Sequence, residues 1–325
     1  MASRFQLMAA PLEGYSDRAF RKLCHNHGAS KTFTEMARVE ALSKNNKSTW
    51  SRVITVQLLP TTTDHLKKFL DMWHAKGYQT SEWNLNLGCP SPNLVSKGLG
   101  VAMMKRINKI NQHIDILKET GVLLRCNLIP DSYQLPVSIK IRLGMNEMEA
   151  SQRCYLNTIK NTNADYYIVH ARNGKQKSSD KPDWSVYRDC VVDGKIVIAN
   201  GDIRTTADLD FLRISGISGV MMGRVAVQNP TIFSQFVNHM ENPSQPASHA
   251  KTTEERQKVV EEVKREYDRL LSTYYASEEE AQREKYRSNF MRHFANPKYE
   301  DMMRMSRMYR RLTSKLNDIE CTGEP

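Results

Sequence analysis

The sequence has no run of about 18 apolar residues, so it offers no candidate for a membrane-crossing helix. The opening stretch, Met1-Ala2-Ser3-Arg4-Phe5, carries neither a long apolar segment nor a cleavage site, and no secretory leader is expected. No two cysteines have Cys-x-x-Cys spacing. The six present (Cys24, Cys89, Cys126, Cys154, Cys190 and Cys321) are scattered. A chain of 325 residues needs no disulfide frame. A structural zinc or iron–sulfur site is therefore not expected, and free thiols in a reducing cytoplasm fit best. No internal repeat or low-complexity segment stands out, which leaves no sign of a repeat array.

What is present describes a globular chain with an anionic partner. Hydrophobic residues make up 40% and charged residues 26%, enough apolar content for a real core. The length allows one large domain, or one large and one small. The net charge of +11 suggests a polyanion as partner. Charge alone speaks to solubility and non-specific binding, and it gains weight when grouped on one face.

The most informative stretch is Asn84-Leu85-Asn86-Leu87-Gly88-Cys89-Pro90-Ser91-Pro92. It reads as a short apolar strand running into a Gly-Cys-Pro corner. Gly88 frees the backbone to turn sharply. Pro90 fixes φ and removes a donor, so the strand cannot continue. A cysteine at the C-terminal tip of a strand sits where a reactive group would be. On these residues alone, a packed thiol in a loop is an equal reading.

Eight strands are expected, at residues 5–11, 31–36, 52–59, 83–87, 136–144, 166–172, 195–199 and 219–224. Helical patterns alternate with them. Ser16 is a candidate N-cap for a helix to residue 27, and further helices are expected over 37–43, 64–76, 107–120, 149–161 and 205–214, with a short one near 229. This alternation gives an α/β fold, a (β/α)₈ TIM barrel. An open doubly wound sheet is the runner-up. The barrel is preferred because polar residues recur at many strand tips: Gln57, Cys89, Lys140 with Arg142, His170 with Arg172, Asn200, and Gly223 with Arg224. A barrel gathers these tips around one mouth. The composition shifts after about residue 234, and residues 242–246 look like a linker. A small helical bundle is expected beyond it, giving domains at 1–240 and 250–325. Its first helix shows an apolar stripe of Val259, Val263, Leu270, Leu271 and Tyr274. A helix over 300–317 carries Arg304, Arg307, Arg310, Arg311 and Lys315 on one face, which could be a solvated surface or a phosphate contact.

The strand tips suggest a ligand. Asn200-Gly201-Asp202 and Gly223-Arg224 follow the seventh and eighth strands, where barrels often hold a phosphate. Ordinary turn glycines are the alternative. Lys140 faces the mouth if Val137, Ile139 and Ile141 face outward, and a buried lysine there needs an anionic or electron-rich partner. An outward lysine paired with a helix carboxylate is the competing reading. Gln57 offers a donor and an acceptor to a planar amide-like ring, and Arg224 can grip phosphate bidentately. Together these suit flavin mononucleotide (FMN).

The pattern resembles the dihydrouridine synthases, flavin enzymes that reduce uridine in RNA. The matching pieces run in order through the barrel. They are Ala10-Pro11-Leu12-Glu13-Gly14-Tyr15-Ser16-Asp17, Phe33-Thr34-Glu35-Met36, Val56-Gln57, and Asn86-Leu87-Gly88-Cys89-Pro90 with Lys97 and Gly100. Further on come Ile139-Lys140-Ile141-Arg142-Leu143-Gly144, Val169-His170-Ala171-Arg172, Ala199-Asn200-Gly201-Asp202 and Met222-Gly223-Arg224. The resemblance implies that Cys89 is the general acid that protonates C5 of uracil while reduced flavin N5 delivers hydride to C6. A cysteine in that role must remain a thiol. It implies flavin contacts from Pro11, Leu12, Glu13, Gln57, Lys140, His170, Asn200, Gly201, Asp202, Gly223 and Arg224. Asn86 and Arg142 look like uracil contacts, and Arg172 and Lys97 are placed with the substrate. NADPH is the implied external reductant, and the C-terminal helices sit where the family carries its RNA-binding domain.

Some positions depart from the family pattern. The loop after Cys89, Ser91-Pro92-Asn93-Leu94-Val95-Ser96-Lys97, is less basic than in many relatives, and Leu12 stands where Met is usual. Residues 123–134 look inserted. The expected substrate is tRNA, with ribosomal RNA open, and the target base must leave its stack to reach the barrel mouth. A cytoplasmic monomer is expected. Two other readings are a flavin barrel that reduces a free small molecule, and an RNA-binding protein with an inactive barrel.

Overall fold

The computed structural model describes residues 5–39, 55–123, 135–192, 194–243, 253–276 and 280–295. Its centre is a parallel sheet with strands β1 (Gln6–Ala9), β2 (Lys31–Thr32), β3 (Ala37–Arg38), β4 (Thr55–Leu59), β5 (Glu82–Leu87), β6 (Val137–Arg142), β7 (Tyr166–His170), β8 (Val197–Asn200) and β9 (Gly219–Met222). The order is β2-β1-β9-β8-β7-β6-β5-β4-β3. Between β2 and β3, Phe33 bridges to Thr55 of β4, while β2 itself pairs with β1. The two short pieces thus occupy one interrupted strand position and close the ring. This is the expected (β/α)₈ TIM barrel.

The interruption changes one expectation. Residues 37 and 38 do not begin a helix. They pair in parallel with Leu58 and Leu59, so the ladder to β4 resumes after the break. Val39 is helical, and residues 40–43 of the expected helix lie outside the described residues, as do residues 52–54 of the expected third strand.

Helix α1 (Arg18–Asn26) is capped by Asp17, whose carboxylate accepts from the amides of Ala19 and Phe20. The expected cap, Ser16, turns back instead. Its hydroxyl accepts from Leu12 N at 2.8 Å and donates to Ala10 O at 3.2 Å, closing the turn after β1. Helix α2 (Thr63–Ala75) buries Leu66, Phe69, Leu70 and Trp73. The expected helix over 149–161 is two helices, α3 (Glu147–Ser151) and α4 (Cys154–Asn161), parted by Arg153 in the left-handed region at φ 55°. A long helix, α5 (Ile107–Leu123), precedes them in the chain and packs beside α2. The expected insertion after it lies outside the described residues. Helix α6 (Thr206–Ile214) starts at Thr205 through a capping box with Asp208.

Beyond α7 (Ile232–Glu241), two helices follow: α8 (Thr253–Tyr274) and α9 (Glu280–His293). The buried face of α8 carries Val263, Tyr267, Leu270 and Leu271. The expected stripe included Val259, which is 38% exposed, and missed Tyr267, which is fully buried. Tyr267 packs against Phe290 with ring centroids 4.2 Å apart and the rings tilted by 39°, and it donates to Asp17 at 3.1 Å. Tyr275 accepts from Arg18 N at 2.9 Å. Val263, Tyr267 and Phe290 therefore belong to the same apolar cluster as the helices around the barrel. The expected basic helix over 300–317 lies outside the described residues. Among the described residues, no helix is long and apolar enough to cross a membrane.

The barrel interior is divided. Met8, Ile168, Ile198 and Met221 fill one part with apolar side chains. The rest is polar, because strict alternation turns Glu82, Asn84 and Asn86 inward while Trp83, Leu85 and Leu87 pack outward.

Candidate active site

The C-terminal ends of the strands surround a cavity of about 290 Å³. Sequence-expected residues from seven strand tips line it. Pro11, Leu12 and Glu13 follow β1, and Gln57 lies on β4. Asn86 and Cys89 come from the end of β5, and Lys140 and Arg142 from β6. His170 closes β7, Asn200, Gly201 and Asp202 follow β8, and Gly223 and Arg224 follow β9. Lys97 and Arg172 do not line it. Lys97 is exposed on the loop after Cys89. Arg172 is 2% exposed and ion-paired with Asp202, so its guanidinium is committed inside the protein. The lining residues that sequence reading did not assign to the site include Met36, Ile203 and Arg204. Arg204 had a signal, lying two residues past the Asn-Gly-Asp corner. Met36 lies in the matching piece Phe33-Thr34-Glu35-Met36, but the break in the second strand that turns it into the cavity was not foreseen.

The cysteine corner is held from three sides. Asn86 Oδ1 accepts from Gly88 N at 3.1 Å and Cys89 N at 3.0 Å. Cys89 O accepts from Val101 N at 3.1 Å. Gly100, at φ +59°, lies so close that a Cβ there would come within 2.3 Å of Cys89 O. The loop after Cys89 is a short helix over Pro92–Val95 followed by a 3₁₀ turn over Gly100–Met103. Asn86, expected at uracil, has both ends of its amide engaged: Nδ2 donates to Gln57 Oε1 at 2.9 Å and to Met36 Sδ at 3.2 Å.

The cavity is electropositive. Lys140, Arg142, Arg204 and Arg224 face Glu13 and Asp202 among its lining residues. Burial pushes the Lys140 ammonium down to about 7, and Arg142 adds to the fall. Among the described residues Lys140 has no hydrogen-bond or ion-pair partner. An unpaired cation beside an open cavity is suited to an anionic or electron-rich ligand. Arg142 donates to Asn173 O at 2.8 Å, and burial with Arg172 nearby lowers it to about 10. His170 is held well below its ordinary value by burial, then by Arg142, Lys140, Arg172 and Arg224. Arg172 can only donate, so its 3.4 Å contact makes His170 Nε2 an acceptor and leaves the proton on Nδ1.

The corner after β8 organises the arginines. Asp202 has φ 52° and forms ion pairs with both Arg172 and Arg224. Arg204 approaches the same carboxylate at 3.7 Å. A Cβ added at Gly223 would make ordinary van der Waals contact with Ala10 Cβ at 3.5 Å and Leu12 Cδ2 at 3.7 Å. A terminal phosphate fits this corner, where Arg224 and Arg204 supply charge and Asp202 holds them in place. The residues present fit FMN: this corner offers charge for a phosphate, and Lys140 and Gln57 offer polar groups for a ring.

The family model "Dihydrouridine synthase (Dus)" matches residues 8–323. A probable tRNA-dihydrouridine synthase of Aquifex aeolicus (strain VF5) is 26% identical over 240 residues, which cover 71% of this chain and 72% of that protein. A tRNA-dihydrouridine(47) synthase, NAD(P)(+)-like, of Homo sapiens is 26% identical over 243 residues, 72% of this chain but 35% of that longer protein. The structure of DHODH from Eimeria tenella with ferulenol superposes loosely, with a TM-score of 0.46, 13% identity, and coverage of 74% of this chain and 82% of that one. The family match runs from the first strand of the cavity to the C-terminal helices, and the chain belongs to the dihydrouridine synthase family.

Proposed function

We propose that the protein reduces the C5–C6 bond of particular uridines in tRNA to dihydrouridine, with FMN held in the barrel mouth and NADPH as the external reductant. Its family makes it an oxidoreductase. The observation that carries the reading is the pairing, in one cavity, of a rigidly held cysteine with an unpartnered lysine and an arginine-lined corner. FMN, when bound, supplies the reducing chemistry for C6. Pro11, Leu12, Glu13, Gly201 and Gly223 shape the pocket, and Arg224 with Arg204 neutralises the phosphate. Lys140 regains its proton beside an electron-rich ring, since a nearby negative charge favours the ammonium. His170 stays neutral and presents Nδ1–H as a donor.

Cys89 Sγ–H gives its proton to C5 as C6 is reduced. The fixed corner sets the direction of that transfer, because a general acid must sit within hydrogen-bond reach of its target. Arg142 lies close enough to Cys89 for charge coupling, and we assign it to the uracil carbonyls. Lys97, on the exposed loop, and the helices after residue 250 are assigned to the RNA backbone, which positions the substrate without reading its bases. The compartment we assign is the cytoplasm, consistent with Cys24, Cys89, Cys154 and Cys190 being free thiols.

The test is reduction of tRNA by the purified full chain with FMN and NADPH, followed by mapping of dihydrouridine. Cys89→Ala should keep flavin and tRNA binding but lose about 10²–10⁴-fold in turnover. Unchanged turnover would remove Cys89 from the mechanism. Failure of the parent protein to bind FMN would sink the reading as a whole.

A further inference from the structure

We propose that Glu82, at the foot of the barrel, is a positioning residue for Cys89, acting through a one-way chain of buried side-chain hydrogen bonds. The chain starts at the Glu82 carboxylate, which accepts from Lys31 and Tyr166 and from Ser138 Oγ at 2.7 Å. Ser138 Oγ accepts from Asn84 Nδ2 at 2.8 Å, and Asn84 Oδ1 accepts from Gln57 Nε2 at 2.7 Å. Gln57 Oε1 accepts from Asn86 Nδ2 at 2.9 Å. The last acceptor, Asn86 Oδ1, holds the Gly88 and Cys89 amides.

Both ends force the same direction. A carboxylate can only accept, so the Ser138 hydroxyl must point down to Glu82 and its lone pairs must face Asn84. A backbone N–H can only donate, so Asn86 must turn its oxygen toward Cys89. The orientation of each amide between them follows, whichever end is taken first. Glu82, Asn84, Ser138 and Gln57 are each no more than 2% exposed. Water therefore does not break the chain, and each link polarises the next. Apolar side chains could fill the same volume at less cost, as they do in the other part of the barrel interior. A fully satisfied polar chain there specifies one arrangement of the mouth.

Glu82→Gln tests the direction. Opposite Lys31, the new amide must present its oxygen, which puts its NH₂ toward Ser138. Ser138 Oγ then loses its 2.7 Å acceptor and its hydroxyl must turn either to Trp83 O, at 3.4 Å, or upward to Asn84, and the upward turn flips Asn84, Gln57 and Asn86 in sequence. The flip ends with Asn86 Nδ2 facing two backbone donors, which opens the Cys89 corner. Two measurements follow on the full chain: alkylation of the Cys89 thiol, read on its own peptide by mass spectrometry, and tRNA turnover. The expected result is a change of about threefold or more in alkylation rate and a fall of about 10- to 100-fold in kcat with little change in KM. Ser138→Ala cuts the link, so Glu82→Gln should add nothing in that background. Equal effects of Glu82→Gln with and without Ser138, or no change in alkylation, would overturn the proposal. If Glu82→Gln does not fold, Asn84→Ala serves the same test, and unchanged Cys89 alkylation in that variant overturns it too. The turnover arm rests on Cys89 being the proton donor. Altered alkylation with normal turnover would support the positioning and count against that donor role instead.

Discussion

Replacing Lys140 with Met should make the ligand-free protein more stable while weakening its hold on flavin. Lys140 has an ordinary value of about 10.5 that falls to about 7 in the fold, mainly through burial. Each unit of pKa is worth about 1.36 kcal/mol, so that difference corresponds to about 5 kcal/mol at most. The side chain opens on a water-accessible cavity, and screening there reduces the figure to about 2 kcal/mol. For a chain of 325 residues that is a rise in Tm of roughly 3 °C.

The pH dependence has a definite sign. The folded value lies below the unfolded one, so between about 7 and 10.5 the unfolded chain holds the extra proton. Stability of the parent should therefore rise with pH across that window, and the penalty is fully present below it. Lys140→Met lacks this term, so its advantage should shrink as pH rises from 7 toward 10. The assay is urea or thermal unfolding of flavin-stripped protein, because bound ligand would add its own stabilisation. A stripped Lys140→Met protein less stable than the parent at pH 7 would refute the reasoning. So would an advantage that does not change with pH. Flavin titration supplies the functional half, with weaker FMN binding expected in the variant.

Other positions allow shorter tests. Gly100→Ala should fold but displace the Cys89 corner, because its Cβ would fall 2.3 Å from Cys89 O and its φ is +59°; turnover should drop by about 10²-fold, checked against unchanged flavin absorbance. Arg224→Ala should lower FMN retention after dialysis, and normal flavin content would remove Arg224 from the phosphate corner. Tyr267→Phe deletes a donor to the buried Asp17 carboxylate, itself pushed up to about 6 by burial, and should cost about 1–3 kcal/mol in urea unfolding at pH 7.

The barrel and most of its mouth were legible in the sequence for one reason. Alternation along each strand is a local property, and it fixes which side chains face inward. Lys140 and Arg142 could be placed on one face of the strand from residues 137–143 alone. The misses share the opposite cause. The break between β2 and β3 depends on which residues of β4 they meet, and that is a matter of pairing. Tyr267 was overlooked in favour of Val259 because the choice is made by the surface of α1, where Asp17 waits for a hydroxyl. Arg172 was read as a free strand tip, yet its partner Asp202 lies 30 residues away on the next corner.

The polar chain beneath Cys89 shows where this boundary falls. Glu82, Asn84 and Asn86 alternate visibly with Trp83, Leu85 and Leu87, so their shared face could be read from the sequence. That they form a chain could not. It exists because the register sets Asn84 opposite Gln57 on one side and Ser138 on the other. A slip of one residue in either pairing would turn one of those partners outward and leave buried amides unsatisfied. The same chain therefore penalises wrong registers between β4, β5 and β6 while it aims the cysteine. Fold specificity and catalytic geometry rest on the same set of hydrogen bonds.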